Sequence, residues 1–137
     1  VHGDYRLDNM ILKNNEVIGI LDWELSTLGH PIADFSYHCL SWRTQEAFWD
    51  QAKLKELGIP SEKEYMEMYC ENSGKDLSKN WEFYMAFNMF KIAGILQGIL
   101  GRVRDGTAAS KHAEERGNMV FPLSEAAWST IEENFLK

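Results

Sequence analysis

Apolar and polar positions divide the chain into a short β-rich segment and a longer helical one. Two apolar runs, at residues 10–12 and 17–21, flank a polar stretch that contains Asn14 and Asn15. Asn tolerates the left-handed backbone that a tight hairpin turn requires. This pattern predicts an antiparallel β-hairpin near the start of the chain.

Helical spacing dominates from residue 31 onward. Five helices are predicted, over residues 31–44, 46–57, 61–73, 80–104 and 123–135. Pro31 can begin the first, because proline is favoured at the first helical position. Gly58 is expected to end the second, and Ser61 with Glu64 forms a capping box at the start of the third. Glu125 is expected to serve the first turn of the last helix.

The strongest helical periodicity lies in residues 80–104, where apolar residues recur at steps of three and four. Gly94, Gly98 and Gly101 lower the helix propensity of this segment. They are interpreted as positions where another backbone approaches closely.

Part of the same segment, residues 83–103, is long enough to span a membrane. It is interrupted by Asn88, Lys91 and Gln97. No membrane span is therefore predicted, and the segment is interpreted as a buried core helix.

Length and composition narrow the class of protein. At 137 residues the chain fits one domain, and its net charge of −7 argues against nucleic acid as a partner. Two cysteines, Cys39 and Cys70, are too few for a disulfide framework and indicate an intracellular, reducing compartment. The predicted fold class is mainly α with a short β-hairpin, α+β overall.

The residues that carry chemistry lie at the hairpin and just before it. Asp4 is followed five positions later by Asn9, and Asp22 follows the second strand. Phosphoryl transfer needs a carboxylate to orient the acceptor hydroxyl and take its proton, and oxygen ligands to hold Mg²⁺ against the phosphates. An Asp and an Asn on one loop, with a second Asp returned by a hairpin, supply these groups.

This ordered set resembles the aminoglycoside phosphotransferase and choline kinase branch of the protein-kinase-like fold. That branch carries His-Gly-Asp and Asp-Trp-Glu motifs, which match residues 2–9 and 21–24 here. The resemblance extends to residues 29–34, where His30 replaces the more usual Asp at an exposed turn. It implies a phosphotransferase that uses ATP and Mg²⁺.

The resemblance also implies an organisation for residues 1–137, as the C-terminal lobe of this kinase domain. Residues 1–30 would form the catalytic loop and metal-binding hairpin, and residues 31–137 the helical body. The N-terminal lobe, whose Gly-rich loop and Lys cover the ATP phosphates, is expected to be absent. The chain is therefore interpreted as a fragment that is inactive alone and needs this missing lobe as its partner.

Roles for individual residues follow from the resemblance. It implies that Asp4 is the catalytic base and that Asn9 and Asp22 are Mg²⁺ ligands. Asp34 is expected to bind backbone amides of the catalytic loop from the start of the following helix. His2 is expected to brace the loop rather than to react.

Two residues keep alternative interpretations. Arg6 either stabilises the transferred phosphoryl group as a catalytic residue or is a surface arginine paired with an acid. Glu24 either joins the metal ligands or caps the loop. Asp8 is interpreted as solvated.

Within the branch, the motifs around Asp4 and Asp22 are most similar to the kinase-like domain fused to acyl-CoA dehydrogenases in multidomain proteins. This implies a small-molecule hydroxyl acceptor, such as a hydroxyacyl-CoA or a related metabolite. It also implies a fused acyl-CoA dehydrogenase domain as a further partner, and a mitochondrial or peroxisomal location.

Rival functions remain open at this point. One alternative is an aminoglycoside or choline-type kinase. An aminoglycoside pocket would need clustered acids to bind a polycation, for which the candidates are Glu62, Glu64, Glu67, Glu71 and Asp76. A catalytically silent kinase-like interaction domain, a metal-dependent phosphoesterase and a protein kinase are further alternatives. Most of the helical aromatic residues are predicted to be core, and some to line a substrate cleft: Trp42, Trp49, Tyr65, Tyr69, Trp81, Tyr84 and Phe87.

Overall fold

The structure, a computed structural model, describes residues 1–44, 51–77 and 79–137. Two strands form one antiparallel sheet, β1 (Met10–Lys13) and β2 (Glu16–Ile20). The helices are α1 (Ile32–Cys39), α2 (Ser41–Thr44), α3 (Gln51–Glu56), α4 (Glu62–Ser73), α5 (Trp81–Arg104), α6 (Ala113–Asn118) and α7 (Val120–Phe135). Short 3₁₀ turns lie at Leu7–Asn9 and Trp23–Leu25. The predicted fold class, mainly α with one hairpin, is confirmed.

The hairpin turn has the backbone that its sequence predicts. Asn14 and Asn15 have φ angles of 53° and 64°, so both turn residues are left-handed, as a two-residue hairpin loop of type I′ requires. The register shifts between Ile11 and Leu12, where the ladder is irregular. The turn and strand register bring the residue before β1 opposite the residue after β2.

The chain divides into two compact units, Val1–Trp81 and Glu82–Lys137. In the first unit, α1 packs on α4 through stacked aromatic rings. Phe35 stacks on Tyr69 with ring centroids 4.0 Å apart and lies 5.3 Å from Tyr65. Tyr65 in turn stacks on Trp42 at 5.3 Å. These helical aromatics are thus packing residues of the first unit.

A partly buried ion pair holds the ends of α2 and α4 together. The Arg43 guanidinium donates to both carboxylate oxygens of Glu62, with its shortest contact at 2.6 Å. The indole Nε1 of Trp81 donates to the same carboxylate at 2.8 Å. The Glu62 carboxylate therefore binds partners within this unit. It is no longer a candidate for binding a polycationic substrate.

The helix boundaries agree with the sequence where local signals set them. Ser61 and Glu64 form the predicted capping box, and α4 ends at Gly74, which has a φ of 66°. The predicted helix over residues 31–44 is instead two helices. At Leu40 the backbone N–H bonds to the Tyr37 carbonyl, three residues back, so a tight turn separates α1 from α2.

Part of the second predicted helix is outside the described residues. The described residues resume at Gln51, so the predicted start at residue 46 and the side chain of Trp49 lie outside the described part of the chain. The predicted end is confirmed, because α3 finishes at Glu56 and Gly58 has a left-handed φ of 73°. Glycine adopts that conformation without steric cost.

In the second unit, α5 matches its predicted bounds closely. Met85 and Met89 are buried on one face, while Phe83, Phe87 and Phe90 are about half exposed on another. Among the described residues, this helix alone is long and apolar enough to cross a membrane by length and composition, and 28% of its most apolar window is buried. Core helices of globular proteins pass the same test.

The interpretation of the three α5 glycines is wrong. A Cβ added at Gly94 or Gly101 meets nothing within 4 Å, and at Gly98 it meets only the far end of the Arg102 side chain. The close approach occurs at Gly117 of α6 instead, where a Cβ would lie 2.6 Å from Cγ of Leu100. Gly94 and Gly98 are exposed and Gly101 is partly exposed, and no close packing partner among the described residues requires a glycine at these positions.

The last helix begins earlier than predicted. α7 starts at Val120 rather than near residue 123, and its first turn contains no acidic residue, so Glu125 does not serve it. Pro122 fits within the first turn because N–H groups there have no partner inside the helix. The short helix α6 is not predicted from the sequence at all.

Candidate active site

The first turn of α1 holds the loop that carries Asp4. Oδ2 of Asp34 accepts a hydrogen bond from the backbone N–H of His2 at 2.5 Å, and Oδ1 accepts from the N–H of Gly3 at 2.8 Å. These are the backbone contacts expected for Asp34. The carboxylate thereby satisfies two consecutive amides directly before Asp4.

His2 joins the loop to the end of the hairpin. Its ring is buried, with 3% exposure, and Nε2 lies 2.7 Å from the Leu21 carbonyl oxygen. Nδ1 accepts a hydrogen bond from the backbone N–H of Asp4 at 3.2 Å. These partners assign the proton to Nε2 and leave Nδ1 as the acceptor. Both ring nitrogens are thus used in bracing, and the Trp23 ring packs edge-on at 4.7 Å.

Gly3 occupies a backbone position that only glycine fits easily. Its φ is +87°, and a Cβ would lie 2.6 Å from the backbone oxygen of Leu25. The loop therefore passes directly against the 3₁₀ turn that follows Asp22. This close approach brings the two candidate motifs, around Asp4 and around Asp22, into backbone contact.

Both carboxylate oxygens of Asp4 accept hydrogen bonds. Oδ2 accepts from Nδ2 of Asn9 at 3.0 Å, and the same Nδ2 donates to the Asp4 backbone oxygen at 2.9 Å. Oδ1 accepts from the hydroxyl of Tyr37 at 2.8 Å. The carboxylate plane is therefore held from two sides.

The hairpin brings Asp22 next to Asn9. The backbone N–H of Leu21 donates to the backbone carbonyl oxygen of Asn9 at 2.8 Å, which extends the ladder by one pair beyond β1 and β2. Asp22 has a left-handed backbone, with φ 64° and ψ 54°, and its exposed carboxylate makes no capping hydrogen bond. A left-handed non-glycine residue is strained, and such strain is frequent at functional sites.

The oxygen donors of this region fit Mg²⁺. Nδ2 of Asn9 donates to Asp4, which leaves Oδ1 as the Asn9 atom that could bind a metal ion, and Asp22 adds a carboxylate. Within residues 1–44, 51–77 and 79–137, no three His, Cys, Asp or Glu side chains form a group that could hold a metal ion. Mg²⁺ in phosphoryl-transfer sites is commonly held by one or two protein side chains together with the phosphates. Glu24 is exposed two residues after Asp22.

Arg6 is paired with an acid in this structure. Its guanidinium donates to Asp8, and both side chains are largely exposed. The hydrogen bond to Asp8 is the main reason that the pKa of Arg6 is raised above its usual value. Asp8, interpreted from sequence as solvated, is exposed but has this ionic partner.

His30, which stands where the related motif usually has Asp, accepts the hydrogen bond that an Asp side chain would accept there. Its Nδ1 accepts from the backbone N–H of Ile32 at 3.2 Å, two residues on. An Asp carboxylate at a helix start makes the same type of bond. The replacement therefore keeps the entry into α1.

Tyr37 is the site residue that sequence reasoning missed. It lies three residues after Asp34, which is one turn along the same face of α1. Burial, followed by the hydrogen bond to Asp4, raises the pKa of its hydroxyl to about 12. The three-residue spacing from Asp34 was the signal available in the sequence.

The Asp4 carboxylate, the adjacent Asn9 amide and the hairpin-borne Asp22 form the arrangement that is expected of a phosphotransferase of kinase-like fold. The chain belongs to the phosphotransferase enzyme family, whose sequence profile matches residues 1–69. It is 44% identical over 135 residues to mouse acyl-CoA dehydrogenase family member 10, and 38% identical over 141 residues to human acyl-CoA dehydrogenase family member 11. These matches cover 93% and 98% of the chain but only 13% and 18% of the relatives.

A solved structure supports the same assignment. The crystal structure of a Ralstonia eutropha protein, provisionally described as an aminoglycoside phosphotransferase, matches with a TM-score of 0.85 and 46% sequence identity. The match covers 97% of this chain and 42% of that protein. Family membership and this fold support a small-molecule kinase.

Proposed function

We propose that the chain is the catalytic C-terminal lobe of an ATP- and Mg²⁺-dependent kinase that phosphorylates the hydroxyl of a hydroxyacyl-CoA or related metabolite. The observation that carries the proposal is the arrangement around Asp4. Its carboxylate is held by Asn9 on one oxygen and by Tyr37 on the other, and Asp22 lies beside Asn9.

In the proposed reaction, Asp4 orients the acceptor hydroxyl and takes its proton. The acceptor oxygen forms a bond to the γ-phosphorus of ATP, and the bond from that phosphorus to the β,γ-bridging oxygen breaks, so ADP leaves with the electron pair. Asp22 and Oδ1 of Asn9 would hold Mg²⁺, which supplies charge neutralisation at the phosphates when bound. Glu24 is proposed as an additional oxygen near that metal.

Arg6 is proposed to contact the transferred phosphoryl group. Its exposed guanidinium pairs with Asp8 in this structure, and a phosphoryl group carries more negative charge than one carboxylate. The pairing would then be exchanged on nucleotide binding.

Turnover is proposed to need a lobe beyond these residues. The sequence contains no Gly-x-Gly-x-x-Gly motif to cover the ATP phosphates. The region around the hairpin also exposes an unusual number of large apolar side chains. These are Leu7, Ile11, Leu12, Val17, Ile18, Leu21, Trp23, Leu25 and Leu28. An apolar surface of this kind marks an interaction site, consistent with a covering lobe.

The acceptor class rests on the relatives. Two of the most similar are acyl-CoA dehydrogenase family members, and the matched region is a small part of each. We therefore propose fusion to an acyl-CoA dehydrogenase domain, and a mitochondrial or peroxisomal location that follows that chemistry. The Ralstonia match favours an aminoglycoside as the rival acceptor. Glu62 and Glu64, two acids considered for that rival, are occupied by Arg43 and the α4 cap.

An acceptor assay tests the proposal. A longer protein with the whole kinase domain would be incubated with γ-labelled ATP, Mg²⁺ and hydroxyacyl-CoA thioesters, with kanamycin and choline as rivals. We expect label on the hydroxyacyl-CoA. Label only on kanamycin or choline would reassign the substrate class, and no transfer to any alcohol would favour a silent interaction domain.

Two substitutions test the assigned roles in the same assay. Asp4→Ala should reduce kcat by about 100- to 10,000-fold, the usual contribution of a general base. Asp22→Ala should abolish the Mg²⁺-dependent activity, whereas Asp105→Ala, at an exposed position, should not. Retained activity in either of the first two variants would overturn its role.

A nucleotide titration tests the need for a further lobe. Mg²⁺-dependent ATP binding would be compared between the 137-residue chain and the longer protein. We expect much weaker binding by the chain alone, and equal, tight binding by both would contradict the proposal.

A further inference from the structure

We infer that Tyr37 is a positioning residue, which orients the Asp4 carboxylate for the acceptor hydroxyl. The inference rests on the proposed phosphoryl transfer and extends it to a residue outside the catalytic loop and the hairpin. The observation is a hydrogen bond from the Tyr37 hydroxyl to Oδ1 of Asp4, 2.8 Å long and spanning 33 residues of sequence.

The chemistry of the two groups fixes the direction of this hydrogen bond. A phenol hydroxyl carries a hydrogen to donate, whereas an ionised carboxylate can only accept. The hydroxyl hydrogen of Tyr37 therefore points to Oδ1 of Asp4. Because the phenol stays protonated until about pH 12, this orientation holds across the working range of an enzyme.

The two hydrogen-bond donors to Asp4 bind different oxygens of its carboxylate. Asn9 donates to Oδ2 and Tyr37 to Oδ1, so each oxygen has one fixed partner. A carboxylate oxygen has two acceptor sites, so one site on each oxygen remains for the acceptor alcohol. Rotation of the carboxylate about its Cβ–Cγ bond would break both bonds. The donors thus fix which direction the remaining sites face.

Tyr37 is itself placed by the helix that holds the loop. Asp34, one turn earlier on α1, binds the amides of His2 and Gly3. The same helix face therefore fixes the backbone immediately before Asp4 and the side chain of Asp4. Small errors in the placement of a catalytic group lower the reaction rate by large factors. Attachment of both the backbone before Asp4 and the Asp4 side chain to α1 should therefore favour catalysis.

The test compares Tyr37→Phe with Tyr65→Phe in the longer kinase-domain protein. Tyr65 is a matched control, because it is also half-buried in the first unit and stacks on Trp42, while Phe preserves its ring. Loss of the Tyr37 hydroxyl should lower kcat by about 10- to 100-fold, the usual value of one hydrogen bond to a charged group. KM for ATP should stay within about twofold, because the hydroxyl touches the base and not the nucleotide.

The kinetic outcomes are distinguishable. A kcat unchanged by Tyr37→Phe would overturn the inference, and so would an equal loss in Tyr65→Phe. A fall in kcat that comes with a large rise in KM for ATP and a lower melting temperature would indicate a structural role and overturn it as well.

A second measurement does not depend on turnover. In protein labelled with ¹³C at tyrosine Cζ, the Tyr37 signal is identified by its loss in Tyr37→Phe. It should shift in Asp4→Ala, because the hydroxyl loses its acceptor, while the Tyr65 signal stays in place. An unchanged Tyr37 signal would overturn the contact. Absence of phosphoryl transfer in the unmodified protein, with a Tyr37 signal that does shift, would instead reject the proposed function.

Discussion

Substitution of Gly3 by alanine tests how closely the catalytic loop and the Asp22 turn approach each other. Gly3 has a φ of +87°, and the added Cβ would lie 2.6 Å from the Leu25 carbonyl oxygen and 3.1 Å from Leu25 Cβ. The first contact is with backbone, which cannot rotate away as a flexible side chain could. The loop or the 3₁₀ turn must therefore move.

The expected cost combines three contributions. A left-handed backbone costs an alanine about 1–2 kcal/mol relative to glycine. A forced contact in a packed site adds about 1–3 kcal/mol. The lower entropy of alanine in the unfolded chain returns about 0.4–1 kcal/mol. We expect Gly3→Ala to lower the free energy of unfolding by about 3 kcal/mol.

Gly74→Ala is the matched control. Gly74 has a similar left-handed φ of 66°, but a Cβ there meets nothing within 4 Å. Only the conformational contribution remains, so the expected loss is about 1 kcal/mol. Urea denaturation, followed by circular dichroism, would measure both variants against the unmodified protein.

The comparison between the variants decides the question. A difference of about 2 kcal/mol would support a tight contact between Gly3 and Leu25. Equal destabilisation by the two variants would refute the reasoning, because it would mean that the Leu25 segment moves aside without lowering the free energy of unfolding.

Three further predictions concern stability and are measured by denaturation. Burial lowers the pKa of His38 below its usual 6.5, so the folded state binds fewer protons than the unfolded state. Stability should therefore fall as the pH drops below about 6.5. The loss should be smaller in His38→Asn, and equal pH profiles would contradict this. Arg43→Lys should cost about 1–2 kcal/mol, because Lys cannot reproduce the forked bonds to Glu62. Its control, Lys63→Gln, removes an exposed pair and should cost at most about 0.5 kcal/mol, and equal losses would argue against a special role for Arg43. Gly94→Ala should stabilise the 137-residue chain by about 0.5–1 kcal/mol, since its Cβ position is open, and a loss would reveal a contact there.

Local signals in the sequence were enough to predict several elements. Asn14 and Asn15 need only their own left-handed backbone to make the hairpin turn. Ser61 and Glu64 form their capping box within three residues. Neither feature depends on a distant part of the chain, which is why both were readable from sequence.

The remaining features depend on contacts that sequence spacing does not specify. The Tyr37 hydroxyl reaches Asp4 across 33 residues, and its three-residue spacing from Asp34 indicates a shared helix face but not a contact with Asp4. The interpretation of the α5 glycines is wrong because a glycine permits a close approach without causing one. Gly117, in the short helix α6, supplies the approach, and its partner Leu100 can be identified only once the helices are placed.

The one-turn spacing of Asp34 and Tyr37 on α1 has a consequence for comparing distant members of the family. An insertion or deletion of one residue between them would rotate Tyr37 by about 100° and remove it from Asp4. A sequence in which Asp and Tyr keep this three-residue spacing after the hairpin should therefore share the hydrogen bond to the carboxylate at the Asp4 position. A sequence without it would have to hold that carboxylate by other means, so Asp-x-x-Tyr becomes a marker for sorting relatives whose catalytic loop looks identical.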